Sequence, residues 1–115
     1  VNGVDNLFCA GEKAGLFVGH TEAICTGSLA GHNAVRYGTG RKLLILPNET
    51  VIGDIIDFSN KRFLEENDKK SRFTFAGSVY FNRMKELGLY TIDKNQIKEK
   101  INSLGLSNVF REKII

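Results

Sequence analysis

The residues best suited to bind a ligand are glycines placed just before, and then inside, a helix-like segment near the start of the chain. Gly11 and Gly19 precede this segment, and Gly27 and Gly31 lie within it. Because a glycine inside a helix costs about 1 kcal/mol relative to alanine, close approach of the backbone to another group must offset the loss. A helix start also presents free amides and the positive end of the helix dipole. The pattern predicts either a ligand-contacting helix start or a tightly packed structural helix.

A strand, a loop and a helix are the elements that would position these glycines. Residues 7–10 predict a short buried strand that ends at Gly11. Thr21 is the predicted N-cap of a helix that runs to Arg36 or Tyr37. Small side chains share one face of this helix: Ala23, Gly27, Ala30, Gly31 and Ala34. Neither GxGxxG nor GxxxxGK[ST] occurs in the segment, which therefore predicts neither a Rossmann pyrophosphate loop nor a P-loop.

Helices are predicted through most of the remaining chain. Residues 42–46 form an apolar run of strand length or extended coil, and Asn48 or Thr50 would cap a helix over residues 51–66. Further expected elements are a strand or loop at residues 72–75, a helix over residues 78–87 capped by Ser78, and a last helix that begins at the capping box of Asp93 and Gln96. The predicted fold is α-rich α+β with one or two short strands.

The polar linker at residues 67–71 predicts a boundary between residues 1–66 and a small helical module, residues 67–115. Residues 1–57 carry a net charge of −2, and residues 58–115 carry +5. The module could dock on RNA or a protein through Lys94, Lys98, Lys100, Arg111 and Lys113, or these side chains could form a solvated face, because acidic residues lie among them. A salt-dependent affinity for RNA would distinguish the two.

Composition places the chain among ordinary globular proteins, with 42% hydrophobic and 25% charged residues. No apolar run approaches the ~20 residues of a membrane span. Cys9 and Cys25 have no metal-ligand spacing and no adjacent base, so we expect two buried, reduced thiols and no catalytic role. These observations favour a cytoplasmic protein.

The segment NLFCAGEKAGLFVGHTEAICTGSLAGHNA, residues 6–34, resembles the last flavin-contacting segment of FAD proteins of the glucose-inhibited division protein A family. That family includes folate-dependent tRNA uracil methyltransferases and other tRNA uridine-modifying flavoproteins. The matching positions are Leu7, Phe8, Ala10 and Gly11 in the strand, Gly19 and Glu22 at the helix start, and Gly27, Ala30, Gly31, Asn33 and Ala34 in the helix. The stretch LPNETVIGDII resembles P-x-x-T-x-x-G-x-L of the methyltransferase branch, and beyond residue 66 no specific match is found.

The resemblance implies a set of FAD-contacting positions: Gly11, Glu12, Gly19, His20, Thr21 and Glu22. Glu12 stands where the family has Gln and would accept hydrogen bonds from the ribityl hydroxyls. The amides at Gly19, His20 and Thr21 would lie near the pyrimidine edge of the flavin. His20 replaces a tyrosine of the family, which leaves the substrate of this branch open.

The resemblance also implies an identity for the parent protein, the C-terminal part of an FAD-dependent oxidoreductase similar to the tRNA uridine-modifying flavoproteins. Because FAD binding in such proteins needs an upstream Rossmann-type domain, that domain is the expected partner, and the chain alone is expected to carry no FAD and to be inactive. The lone strand would pair with a partner chain or rearrange, so a homo-oligomer stays open. Alternatives are a helical RNA- or protein-binding module and an NAD(P)H-linked flavin dehydrogenase.

Overall fold

Four helices form the regular structure of the chain. The computed structural model describes residues 3–11, 16–64 and 71–111. The helices are α1 (His20–Gly38), α2 (Val51–Leu64), α3 (Ser78–Glu86) and α4 (Lys94–Ser103). Each lies within about two residues of a helix expected from the sequence, which confirms the α-rich prediction. Within the described ranges, every helix is too short or too polar to span a lipid bilayer.

The expected short strands are not confirmed in these ranges. Residues 7–10 have no regular structure, and Leu7 is 50% exposed rather than buried. A single parallel bridge joins Phe17 to Phe73, with the Val18 amide 3.1 Å from the Phe73 carbonyl. A strand needs a neighbouring strand to bond its amide and carbonyl groups. In the described part of the chain, no strand lies next to residues 7–10.

The starts of α1 and α2 follow different rules. Gly19 is the N-cap of α1 and makes no side-chain cap bond, whereas Thr21 lies inside the helix, so the predicted Thr21 cap is wrong. The predicted Thr50 cap of α2 is confirmed, because its hydroxyl accepts from the Gly53 amide (3.0 Å) and donates to the Pro47 carbonyl (2.7 Å). This turn fixes the direction in which the chain enters α2.

The N-caps of α3 and α4 also differ, since only one of them is formed by a side chain. Gly77, not Ser78, is the N-cap of α3, and no side chain caps it. The predicted cap of α4 is confirmed, since the Asp93 carboxylate accepts from the amides of Asn95 and Gln96. The carboxylate also complements the positive end of the α4 dipole.

The core is built by the segments around α2 and α3. Its buried apolar residues are Leu16, Phe17, Ile55, Phe73, Tyr80, Met84 and Leu89. They come from both sides of the boundary predicted at residue 67, whereas α4 contributes no buried residue. The division into residues 1–66 and 67–115 stays a prediction, and one apolar cluster joins the two parts.

Helix α1 packs on the rest of the chain mainly through polar residues. Its buried residues are Glu22, Thr26 and Asn33. The apolar side chain of Ile24 is 69% exposed, and a Cβ added at Gly27 or Gly31 would meet no atom within 4 Å in the described ranges. The small-residue face of α1 is therefore open at Gly27 and Gly31.

Candidate functional site

The start of α1 lies beside two glycines whose backbone conformations exclude most other residues. Gly11 is buried with φ +60°, and Gly19 has φ +128°. Side chains with a Cβ rarely adopt these angles. The Gly11 amide donates to the Thr26 hydroxyl (3.0 Å), which donates to the Glu22 carbonyl (2.7 Å). The chain before the loop is thereby fixed against the first two turns of α1.

A buried carboxylate holds the first turn of α1 against a distant segment. Glu22 is 2% exposed, and its Oε1 accepts from the Thr74 hydroxyl (2.9 Å) and the Phe75 amide. A Cβ at Gly19 would overlap Oε2 of Glu22, so the glycine makes room for the carboxylate. We call Gly19, Glu22, Thr74 and Phe75 the Glu22 clamp. It joins positions 52 residues apart.

The first amides of α1 remain available. Those of His20 and Thr21 make no hydrogen bond with any described residue, and both residues are exposed. Amides at the start of a helix lack an intrahelical acceptor and point outwards along the axis. They can therefore donate to a ligand that lies just beyond the N-terminal end of the helix.

The expected cofactor positions separate into groups. His20 and Thr21 bring their amides together at the helix start, Gly11 and Gly19 shape the backbone beside them, and Glu22 is enclosed in the clamp. Glu12 lies outside the described residues. Sequence reasoning missed Thr74 and Phe75, because no local pattern marks a residue that bonds to a side chain 52 positions earlier.

The other end of α1 carries a histidine and an arginine that bond to each other. Arg36 Nε lies 2.7 Å from Nε2 of His32, and Arg36 Nη1 donates to the Lys42 carbonyl (3.2 Å). Burial, and secondarily the charge of Arg36, lowers the pKa of His32 below 6.5. His32 is therefore neutral at pH 7 and accepts the bond from Arg36.

Asn33 holds the segment that follows α1. Its side-chain amide donates to the Leu44 carbonyl (2.9 Å) and its Oδ1 accepts from the Leu44 amide (2.6 Å). One side chain thus satisfies the backbone groups that a neighbouring strand would otherwise satisfy. Residues 42–46 have no regular structure, and Leu44 is the residue through which Asn33 ties them to α1.

A second polar cluster, which the sequence did not reveal, joins α2 to α3. Asp54 is 3% exposed, accepts from the Tyr80 hydroxyl (2.6 Å), and pairs with two nitrogens of Arg83, each at 3.0 Å. Burial and the bond to Asp54 raise the pKa of Tyr80, and the same carboxylate raises the pKa of Arg83. Each buried polar group has a partner, as a structural network requires. The cluster keeps α3, and with it the Thr74 end of the clamp, in position.

A cleft of about 510 Å³ lies between the start of α2, the end of α3 and α4. Its lining is mainly apolar and includes Val51, Ile52, Met84, Leu89, Ile97 and Lys100, with no residue of the Glu22 clamp. It is thus separate from the start of α1.

Cys9 and Cys25 form no disulfide, but the expected burial is wrong for Cys9, which is exposed, and Cys25 is half-buried. Cys9 is accessible because residues 7–10 do not enter a sheet. Across the described ranges, no group of His, Cys, Asp and Glu side chains could hold a metal ion.

Comparisons with known proteins agree with the resemblance found in the sequence. Residues 1–42 match the family described as glucose inhibited division protein A. The chain is 41% identical over 70 residues to the methylenetetrahydrofolate–tRNA-(uracil-5-)-methyltransferase TrmFO of Prochlorococcus marinus strain MIT 9215, which covers 60% of this chain and 15% of that protein. No solved structure matches significantly.

Longer matches reach the second half of the chain. The Bacillus licheniformis enzyme of the same name is 31% identical over 105 residues, or 91% of this chain and 22% of that enzyme. The enzyme of Prochlorococcus marinus strain MIT 9312 is 30% identical over 113 residues, or 96% of this chain and 24% of the relative. The similarity therefore continues beyond residue 66, where sequence inspection found no specific match. The chain spans less than a quarter of these relatives.

Proposed function

Residues 1–42 of this chain belong to the glucose-inhibited division protein A family, and from this we propose that the chain is the C-terminal part of an FAD-dependent tRNA-modifying enzyme. In this proposal the start of α1 contacts the flavin, and the rest of the cofactor site comes from an upstream Rossmann-type domain. The relatives named as tRNA uracil methyltransferases support tRNA as the substrate, since their similarity extends over most of the chain.

The observation that carries the proposal is the pair of amides at His20 and Thr21, which bond to no residue that the structure describes and lie next to glycines with positive φ. The pyrimidine edge of a flavin presents oxygen acceptors, and such amides are matching donors at the positive end of a helix dipole. The residues present therefore fit one wall of a flavin site. A pyrophosphate loop and an acidic residue for the adenosine ribose would have to lie elsewhere. When bound, FAD would supply the redox chemistry.

The other expected contacts take different roles in this proposal. Glu12 accepts hydrogen bonds from the ribityl hydroxyls. The carboxylate of Glu22 is enclosed by Thr74 and Phe75, so Glu22 acts as a positioning residue that aims the first turn of α1. The open small-residue face of α1 is where the upstream domain packs, because close helix packing needs such side chains.

The test removes one amide without removing the helix. His20 is the first residue of α1, the position where proline is tolerated. In the complete product of the gene that encodes this chain, His20→Pro deletes the amide hydrogen, whereas His20→Ala deletes only the imidazole. We expect His20→Pro to weaken flavin binding by about two- to tenfold, the worth of one hydrogen bond, and His20→Ala to leave it unchanged.

Flavin content is read from visible absorbance, and affinity from titration of the apoprotein. Equal losses in both variants would assign the contact to the imidazole and refute the amide role. A complete protein without flavin would refute the proposal altogether. It would favour the hypothesis of a helical binding module instead. That hypothesis is supported by α4, because Lys94 and Lys98 are exposed and none of the residues of α4 is buried.

A further inference from the structure

The C-terminal end of α1 carries cations and aromatic rings that the proposed flavin contact does not use. The Arg36 guanidinium bonds to the Lys42 carbonyl and to His32, and the His32 ring packs edge-on against Phe110, with centroids 4.9 Å apart. Arg111 follows Phe110 in the chain. We call Arg36, Lys42, Phe110 and Arg111 the α1-end patch; it joins two segments distant in sequence.

The sequence around the α1-end patch lacks negative charge. No Asp or Glu occurs between Glu22 and Glu49, a stretch that contains Arg36, Arg41 and Lys42. The stretch from Lys100 to Arg111 also contains none, and Glu112 follows it. This differs from α4, where Glu99 lies between the lysines. A local excess of cations attracts a polyanion.

Aromatic rings stand exposed beside these cations. Phe110 is 55% exposed, and Tyr37, next to Arg36 on α1, is 47% exposed and lies against Phe8 with centroids 6.2 Å apart. Exposed rings beside cations are the combination that binds unpaired nucleotides, because phosphates pair with the cations and bases stack on the rings. An acidic peptide would use the cations but would leave the rings in water.

We propose that the α1-end patch is an RNA-contacting surface, on which Lys42 and Arg111 pair with phosphates and Phe110 stacks on an unpaired base. The inference rests on the proposed function, because tRNA is the RNA that the complete protein would meet. Along α1, His32, on which Phe110 packs, and Arg36 follow the flavin-facing His20 by 12 and 16 residues, or about 18 and 24 Å at 1.5 Å per residue. The patch would therefore hold a part of the tRNA distant from the nucleotide being modified.

The test compares two pairs of exposed cations in the complete gene product, with an unmodified tRNA transcript as the probe. One variant combines Lys42→Gln and Arg111→Gln, and the matched control combines Lys94→Gln and Lys98→Gln on α4. Affinity is measured by fluorescence anisotropy over a series of salt concentrations. A third variant, Phe110→Leu, keeps an apolar side chain against His32 and removes the ring.

We expect the patch variant to bind tRNA about tenfold more weakly at low salt, with the slope of log Kd against log salt smaller by about 2, one for each phosphate contact. The control should stay within about twofold of the unmodified protein. Phe110→Leu should weaken binding by about fivefold or more without changing the slope, because stacking releases no counterions.

The outcomes that overturn the inference are distinct from those that overturn the function. If the protein binds tRNA and the patch variant matches the unmodified protein, or if both cation pairs weaken binding equally, the surface is wrong while the function stands. A loss confined to the α4 control would assign RNA contact to α4. Absence of tRNA binding in the unmodified protein would refute both. Flavin content and helical circular dichroism, unchanged in all variants, show that the site and fold are intact.

Discussion

Gly53 offers the sharpest test of how the motif LPNETVIG shapes the chain. This residue lies in the first turn of α2, where alanine would normally stabilise the helix by about 1 kcal/mol. A methyl group at this position would overlap the Pro47 carbonyl oxygen and lie 2.5 Å from that of Leu46. Both atoms belong to the backbone, so no side-chain rotation can relieve the overlap. We therefore expect Gly53→Ala to destabilise the protein.

The size of the destabilisation follows from the hydrogen bonds that the Pro47 carbonyl accepts. It accepts from the Thr50 amide (2.9 Å) and the Thr50 hydroxyl (2.7 Å). Moving the loop away from a new methyl group breaks both bonds, at about 1 kcal/mol each, and disturbs the Thr50 cap, worth about 1 kcal/mol. After the gain in helix propensity, the net loss of unfolding free energy is about 2 kcal/mol.

Gly31→Ala is the matched control, because Gly31 lies inside α1 and a Cβ there would meet no described atom within 4 Å. In the isolated chain we expect a gain of up to about 1 kcal/mol. Urea unfolding followed by helical circular dichroism measures both changes, which differ by about 3 kcal/mol and correspond to Tm shifts of roughly 8 °C down and 4 °C up. Equal effects of the two substitutions would refute the close approach of Pro47 to α2.

Three further predictions concern side chains with defined partners. Acidification should destabilise the chain as the pH falls below 6.5, because the pKa of His32 is lower in the folded state and the unfolded chain takes up the proton first; His32→Asn should remove this part of the pH dependence in urea titrations. Tyr80→Phe should lower the free energy of unfolding by about 1–2 kcal/mol, because the bond to Asp54 is lost. The unmodified chain should also lose stability above pH 10, because the raised pKa keeps the folded phenol protonated while the unfolded one ionises. Tyr80→Phe should abolish this alkaline destabilisation. Asp93→Ala should cost about 1 kcal/mol as a lost N-cap and lower the helical circular dichroism signal, whereas no change would show that α4 is held by other contacts.

The helices could be predicted because their signals are local. Thr50 and Asp93 cap α2 and α4 through amides two or three residues away, so a short window of sequence contains both partners. The Thr21 cap failed because Gly19, with φ +128°, already starts the helix earlier. The prediction of a strand at residues 7–10 was wrong, because an apolar run forms a buried strand only where a neighbouring strand can pair with it. The described part of the chain contains no such neighbouring strand.

The site could be predicted only in part for a related reason. The glycines and the helix start carry a local pattern, and the fold places them side by side, while their contact with a flavin stays a prediction. The partners of Glu22 lie 52 and 53 residues away and those of Asp54 lie 26 and 29 residues away, on segments whose positions depend on the packing of the core. Periodicity cannot reveal such contacts, because it describes one element at a time. The sequence therefore shows Glu22 only as a residue at the helix start, and its bonds to Thr74 and Phe75 appear only in the fold.

The way α1 is attached suits it to two roles, one as a folded element of this chain and one as the packing surface proposed above for an upstream domain. Each of its three buried residues is polar and bonds to a different segment: Glu22 to Thr74 and Phe75, Thr26 to Gly11, and Asn33 to Leu44. Hydrogen bonds fix the direction of a helix without covering its apolar surface, whereas apolar packing would use that surface. Because α1 is oriented in this way, its open face of small residues stays available for an adjoining domain. Gly31→Ala separates the two roles, since the added methyl group should stabilise the isolated chain and destabilise the complete protein if that face is covered there.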